Sequence, residues 1–378
     1  MQPLVRIKDL VIQFATFEGI VKAIDGINLD IYEGEALGLV GETGCGKTVT
    51  SLAITKLLAP NAILRKGEIY YKNKDILKIP EDEIIKIRGG EIAMIFQHPL
   101  RSLNPTMKIK DQILESLLLH KKSKLIEQGI KKIDEEIESG KKNTYLLSKY
   151  KNLIQMEMKK PNSYSLKISS KIPIIKKYKK YLRDDAVVID MLKMVDIANP
   201  STVVTQHPHE LSGGMRQRVM IAMALSATPK LLIADEPTTA VDVTIQAKVL
   251  RLIKQLIDEF NTSLLLITHN LGIVAEICDR VAVMYAGSIV EICDIYTLFE
   301  NPIHPYTKGL SNAIPIIGEK KELVGIGGTV PSLLDPPSGC RFHPRCGYAT
   351  EICSLKKPEL VEIEKGHSVA CHQFVEGA

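Results

Sequence analysis

Long apolar runs are missing from this chain. No stretch approaches the roughly 20 consecutive apolar residues needed to cross a bilayer, which argues against a membrane-spanning helix. The N-terminus lacks the basic-then-apolar order of a signal peptide, so the expected location is the cytosol, or the inner surface of a membrane if a partner holds the chain there. Closely spaced Cys-x-x-Cys pairs are also absent, which removes the common zinc folds. The net charge is only +5. Much of that excess lies in residues 121–181, which carry 17 Lys against 6 acidic residues and read as a solvated helical face rather than a nucleic-acid surface.

What is present is ample for a large core. The 378 residues are 45% hydrophobic and 25% charged, a soluble globular composition suggesting two to three domains. The most informative stretch is Gly41-Glu42-Thr43-Gly44-Cys45-Gly46-Lys47-Thr48. An apolar run, residues 36–40, precedes it as a buried strand, and residues 49–58 follow as a helix. That order is what a phosphate-binding loop requires. Glycines let successive amides and the positive end of the helix dipole face an anion. Lys47 would reach the β- and γ-phosphates, and the Thr48 hydroxyl would ligate magnesium.

Before this loop, residues 4–14 and 27–31 alternate apolar and polar side chains and predict an antiparallel β-layer. Phe14, with Phe17 second, is the candidate to stack on adenine, against the alternative of an ordinary core aromatic. After the loop, residues 67–71 and 92–96 read as strands, the second ending at Gln97, whose amide would reach a metal or an attacking water. From residue 107 to about 195 the periodicity becomes helical, with a Lys-rich interior at 121–183.

Leu211-Ser212-Gly213-Gly214-Met215 then opens an apolar helix, with Ser212 as its cap and exposed glycine amides at the positive dipole end. This is a second anion site, which one chain needs only if it serves a nucleotide held by another subunit. Residues 230–235 form a buried strand ending in Asp235-Glu236. Asp235 fits a magnesium ligand, and Glu236 a general base or water-positioning group. A further apolar strand, 263–268, ends at His269, placed to hydrogen-bond a γ-phosphate or the glutamate.

Taken together, these elements resemble the ATP-binding cassette ATPases: the phosphate loop, Gln97, the signature Leu-Ser-Gly-Gly-Met, the strand ending in Asp235-Glu236, and His269, in the family's order. Finer features are similar to the D-type ATPase subunits of oligopeptide and dipeptide permeases. They include Gln97-His98-Pro99, His304-Pro305-Tyr306-Thr307, Met215, and a tail containing Gly339-Cys340-Arg341-Phe342-His343-Pro344-Arg345-Cys346. The resemblance implies an α/β fold with a RecA-like phosphate-loop NTPase core, an antiparallel β-subdomain, an inserted helical subdomain and a C-terminal Cys-rich extension. The expected division is 1–106 with 184–300 for the nucleotide domain, 107–230 for the helical subdomain, and 301–378 for the extension.

It also implies an ATP hydrolase working as a head-to-tail dimer with a second ATPase subunit. Each ATP would lie between the phosphate loop of one subunit and Ser212, Gly213 and Gly214 of the other, with Thr48, Asp235 and Gln97 around magnesium. Glu236 would act as base, His269 would support the transition state, and Asp242 would communicate between sites. Two transmembrane permease subunits and an extracytoplasmic solute-binding protein complete the implied importer, a peripheral assembly on the cytoplasmic face of the membrane. Peptides are the expected cargo, with nickel or another small solute as the alternative.

Rival roles fit less well. A DNA-repair ATPase would need a long heptad coiled coil that 121–183 does not supply. A translation-type ATPase carries two nucleotide domains, whereas this chain has one phosphate loop and one signature; no nucleic-acid partner is expected.

Four of the seven cysteines, Cys340, Cys346, Cys353 and Cys371, fall in the last 39 residues. Spacing alone leaves zinc and iron–sulfur equal. Resemblance to the permease tail favours a 4Fe-4S cluster, with His343, His367 and His372 as alternative ligands.

Overall fold

Apolar runs bounded by glycine or polar residues become the interior strands of an eight-stranded sheet. The structure, a computed structural model, describes residues 2–97, 102–139, 144–145, 147–149, 151–152, 185–238, 243–313 and 325–374. In chain order its strands begin with β1 (Val5–Thr16), β2 (Gly19–Ile31), β3 (Ala36–Val40), β4 (Ala62–Tyr71), β5 (Lys74–Asp75) and β6 (Ile92–Ile95). They continue with β7 (Leu231–Asp235), β8 (Ser263–Thr268), β9 (Arg280–Tyr285), β10 (Ser288–Asp294), β11 (Val361–Glu364) and β12 (His367–Val369).

The larger sheet runs β11-β12-β10-β9-β3-β8-β7-β6. From β9 to β6 neighbouring strands are parallel, and every residue of β3, β7 and β8 is buried. A strand covered on both faces needs an unbroken apolar run, which is what these segments supply. The order places the carboxyl ends of β3, β8, β7 and β6 side by side, where open α/β sheets bind ligands. The alternating segments near the N-terminus form the expected antiparallel layer, ordered β2-β1-β4-β5. Its inward side chains, such as Ile7, Ile12 and Ile24, share one core with Leu37, Ile233 and Leu265 of the larger sheet.

Packing divides the chain into two units. One comprises Met1–Gln97 with Pro229–Ala378, and the other is His98–Thr228. The last residues belong structurally to the first unit: β12 pairs antiparallel with β10 (Glu291 opposite Val369, Ile292 opposite Ser368), and β11 adds outside it. Glu291 is fully buried there. It accepts hydrogen bonds from the backbone N–H groups of Ile303 (2.8 Å) and His304 (2.9 Å), and His367 Nε2 lies 2.8 Å from Oε1.

The other unit is helical, with helices at Ile109–His120, Lys122–Glu138, Asp185–Met194 and Gly213–Leu225. Buried Gln112 fastens the turn before the first of these, donating to the carbonyls of Asn104 (3.1 Å) and Met107 (3.0 Å) and accepting from the Asn104 N–H (2.9 Å). Ser116 and Ser226 hydroxyls meet at 2.9 Å, and Arg218 donates to the Val195 carbonyl at 2.7 Å. Most of the Lys-rich segment 121–183 lies outside the described residues.

Candidate functional site

The phosphate loop leaves β3 at Val40 and enters the helix Lys47–Ile54 through Gly46, which has φ +107°. The helix starts two residues earlier than its apolar pattern suggests, because a left-handed glycine serves as the cap. A Cβ at Gly41 would stand 2.0 Å from the carbonyl oxygen of Met284 in β9, so the loop runs against the neighbouring strand's backbone and only glycine fits. Lys47 is buried and folds back over the loop, its Nζ donating to the carbonyls of Gly41 (2.7 Å) and Glu42 (3.0 Å). Thr43, Gly44 and Thr48 are exposed, whereas Cys45 is fully buried and burial pushes its thiol up, leaving it un-ionised and inert.

Asp235 ends β7 at 2% exposure. Burial raises its pKa above the ordinary aspartate value; a hydrogen bond from Thr48 opposes that, neighbouring Glu236 adds to it, and Lys47 pulls it down. Its Oδ1 is buried without a hydrogen-bond partner. A desolvated carboxylate oxygen beside the loop threonine has the chemistry of a magnesium ligand, because a divalent cation would offset the cost that remains at the unpartnered Oδ1.

Glu236 follows in the left-handed region, φ +44°, a conformation that costs a non-glycine residue energy and recurs at functional sites. That backbone turn sets its carboxylate between two neighbours. Gln97, just past β6, donates through Nε2 to Oε2 at 2.8 Å, and Nδ1 of His269, just past β8, lies 3.0 Å from Oε1. The expected catalytic residues Glu236, Gln97 and His269 are therefore brought together by three adjacent strand ends. Gln97, expected at the metal, is bound to Glu236.

In the helical unit, Ser212 caps the helix Gly213–Leu225 as expected, its hydroxyl accepting from the Met215 N–H at 3.3 Å, with Gly213 and Gly214 forming the first turn. Phe14 is half-buried and packs against the core shared by the two sheets, the alternative that its alternating strand allowed. Phe17 is fully exposed in the β1–β2 turn. Asp242 lies outside the described residues.

The tail holds Cys340, Cys346, Cys353 and Cys371. The Cys340 N–H donates to the Cys353 carbonyl at 2.7 Å, and Cys353 and Cys371 are buried. Burial pushes the Cys340 thiol up to about 11, and proximity to Cys353, Cys371 and Cys346 adds to it. Burial likewise raises Cys346 and Cys371. The histidines weighed as ligands have other partners: His343 contacts the Cys340 carbonyl (2.9 Å), His372 the Lys356 carbonyl (2.8 Å), and His367 Glu291. Among the described residues, the set of three side chains with ligand atoms all within 4.8 Å is Glu291, Cys293 and His367, all buried.

Sequence reasoning missed one group. Glu42 of the phosphate loop donates its N–H to the Tyr306 hydroxyl (3.0 Å), and its carboxylate takes a two-pronged ion pair from Arg345 (2.8 and 3.2 Å). Tyr306 packs with Tyr285 (4.6 Å between ring centres) and Phe342 (5.4 Å), an aromatic cluster joining the tail to the loop. The available signal was a carboxylate inside an anion cradle, which calls for a counter-charge.

These loops define a phosphate-loop nucleotide hydrolase. A family model described as "ABC transporter" matches residues 24–239, and one described as "Oligopeptide/dipeptide transporter, C-terminal region" matches residues 290–353. The chain belongs to the ABC transporter ATPases. It is similar to the oligopeptide transport ATP-binding protein AppD of Bacillus subtilis (41% identity over 100% of this chain and 98% of that one). It is also similar to OppD of the same organism (42%, 97% and 87%) and to OppD of Escherichia coli (40%, 99% and 94%). Among solved structures, the dimeric bacterial ABC transporter cassette MJ0796 shares the fold, with a TM-score of 0.54 at 23% identity over 77% of this chain and 98% of that one.

Proposed function

We propose that this chain is the ATP-hydrolysing subunit of a peptide importer, peripheral to the cytoplasmic face of the membrane. The observation that carries the reading is the row of strand ends that sets the phosphate loop, Asp235, Glu236, Gln97 and His269 along the carboxyl end of the sheet. The relatives named for oligopeptide transport, and the tail match at 290–353, support peptides as cargo over nickel or another small solute. No helix among the described residues is long and apolar enough to cross a membrane, in keeping with membrane subunits supplied by other chains.

In this reading Lys47 exchanges the loop carbonyls for the β- and γ-phosphates, while the amides of residues 43–48 and the helix dipole hold their charge. Thr48 and Asp235, with Gln97 nearby, would hold magnesium, which when bound would supply charge neutralisation at the phosphates. Glu236 orients and deprotonates the attacking water once Gln97 leaves Oε2, and His269 keeps the carboxylate aimed. Ser212, Gly213 and Gly214 serve the ATP of a partner ATPase subunit, and the alternation of closed and open dimer drives the membrane subunits.

The tail cysteines fit a 4Fe-4S cluster that clamps residues 340–371. What supports a metal centre is the burial of Cys353 and Cys371 and the raised thiols of Cys340, Cys346 and Cys371, a cost that thiolate bonding to iron would relieve, with zinc as the alternative. Anaerobic purification with iron analysis and an absorption spectrum tests this; a colourless, zinc-loaded protein overturns it.

The test of the whole reading is co-expression with candidate permease and solute-binding subunits in membrane vesicles. ATP-dependent uptake of a labelled peptide is expected. Uptake of nickel instead, or co-purification with DNA or ribosomes and no membrane subunits, overturns it.

A further inference from the structure

Every polar group of Glu42 is held. Its carbonyl accepts from Lys47, its N–H donates to Tyr306, and its carboxylate faces both prongs of Arg345. Two of these three partners lie beyond β10, in the segment that follows the cassette. The Arg345 side chain is only 5% exposed, and its guanidinium stands over the rings of Tyr285 (5.6 Å) and Phe342 (5.9 Å). Nε donates to the Gly327 carbonyl (2.9 Å), and Nη1 approaches the Tyr285 hydroxyl (3.3 Å). The fork is thus fixed from three sides before it meets the carboxylate.

A carboxylate at the second position of a phosphate cradle is an electrostatic liability, since the incoming ligand is a polyanion. A buried, two-pronged arginine removes that charge and fixes the loop backbone on which the amides sit. Cys346 follows immediately, so the position of Arg345 depends on how the tail cysteines are tied.

We infer that Arg345 is a positioning residue for ATP, neutralising Glu42 and holding the phosphate loop open to nucleotide, so that the Cys-bearing tail sets the affinity of the cassette. This rests on residues 41–48 being the nucleotide cradle. The loop and the tail are therefore not independent. Loss of the pair leaves an unpaired carboxylate facing the phosphates and frees the first turn of the loop. The deficit falls on nucleotide affinity more than on turnover at saturating ATP.

The experiment is titration of the purified full-length chain with a fluorescent ATP analogue and magnesium, for wild type, Lys47→Ala, Arg345→Ala, Arg345→Lys, Glu42→Gln and the Glu42→Gln/Arg345→Ala pair. Binding by wild type and its loss in Lys47→Ala establish the cradle; failure of that control would fault the cradle itself, separately from Arg345. Arg345→Ala should raise Kd about tenfold, as for a coupled, partly buried pair. Arg345→Lys, which keeps the charge but not the fork, should raise it about threefold. The double variant should bind within about twofold of Glu42→Gln alone. Affinities within twofold of wild type for the arginine variants, or an undiminished Arg345→Ala effect in the Glu42→Gln background, overturn the inference. If Arg345→Ala does not fold, the Arg345→Lys result decides.

Discussion

Glu236 Oε1 and His269 Nδ1 stand 3.0 Å apart although 33 residues separate them, because β7 and β8 are adjacent parallel strands and each residue is the first past its strand. A histidine held against a carboxylate in this way keeps the acid aimed. The other oxygen belongs to Gln97, so the carboxylate is oriented on both sides before any water reaches it.

Glu236→Gln should leave ATP binding within about twofold of wild type and cut turnover in the assembled complex by about a hundredfold or more. His269→Ala should lower turnover less and leave binding intact. Rapid-quench assays of phosphate release check both, and unchanged turnover in Glu236→Gln would remove it from the mechanism.

Asp235→Asn should stabilise the nucleotide-free chain while raising its magnesium requirement. Because burial raises the folded-state pKa, the charged form is penalised in the folded state. That penalty is absent well below the ordinary aspartate range and complete above the raised folded value. The melting temperature of the variant should therefore exceed wild type by roughly 2 °C near neutral pH, and the gap should close as pH falls through that window. A gap that widens on acidification contradicts this sign.

Ser212→Ala should cost about 1 kcal/mol of stability through the lost helix cap. Ser212→Asp keeps a capping oxygen but adds a negative charge where a partner's ATP is expected. It should retain stability and lose ATP-driven dimerisation, read by light scattering in a Glu236→Gln background. Dimerisation unaffected by Ser212→Asp would detach this cap from the nucleotide.

Phe342 is buried edge-on to Tyr285, with ring centres 5.1 Å apart. Phe342→Ala should cost about 3 kcal/mol in denaturant unfolding and weaken nucleotide binding with it, because the cluster carries Tyr306 and Arg345. A large stability loss with unchanged nucleotide affinity would separate the cluster from the loop.

Much of the fold and of the candidate site was legible in the sequence, for a physical reason. Phosphate loops, strand-end acids and capped helices require fixed residue types at short spacing, so Lys47, Thr48, Asp235, Glu236 and Ser212 announce themselves locally. The strand Ser263–Thr268 matches its apolar run to the residue. Partners chosen by tertiary packing do not announce themselves. Arg345 reaches Glu42 across 303 positions, and Gln97 meets Glu236 across 139. His367 has the sequence neighbours of a ligand for the tail cysteines, and the fold instead sets its Nε2 against buried Glu291 of another strand, beside Cys293. Phe14 read equally well as a stacking ring or a core ring, and half-burial against the shared core is what its strand position provides.

The pairing of β12 with β10 changes what can be cut away. Shortening the chain before residue 325 would leave the main-chain groups of β10 that face β12 unpaired, an open template for a second chain. It would also strip His367 from Glu291 and uncover Ile303, which the tail's Val369 and Cys371 shield. A shortened protein would keep every nucleotide motif and still fail in solution by sticking to itself. In this chain the catalytic cassette is not a transplantable part.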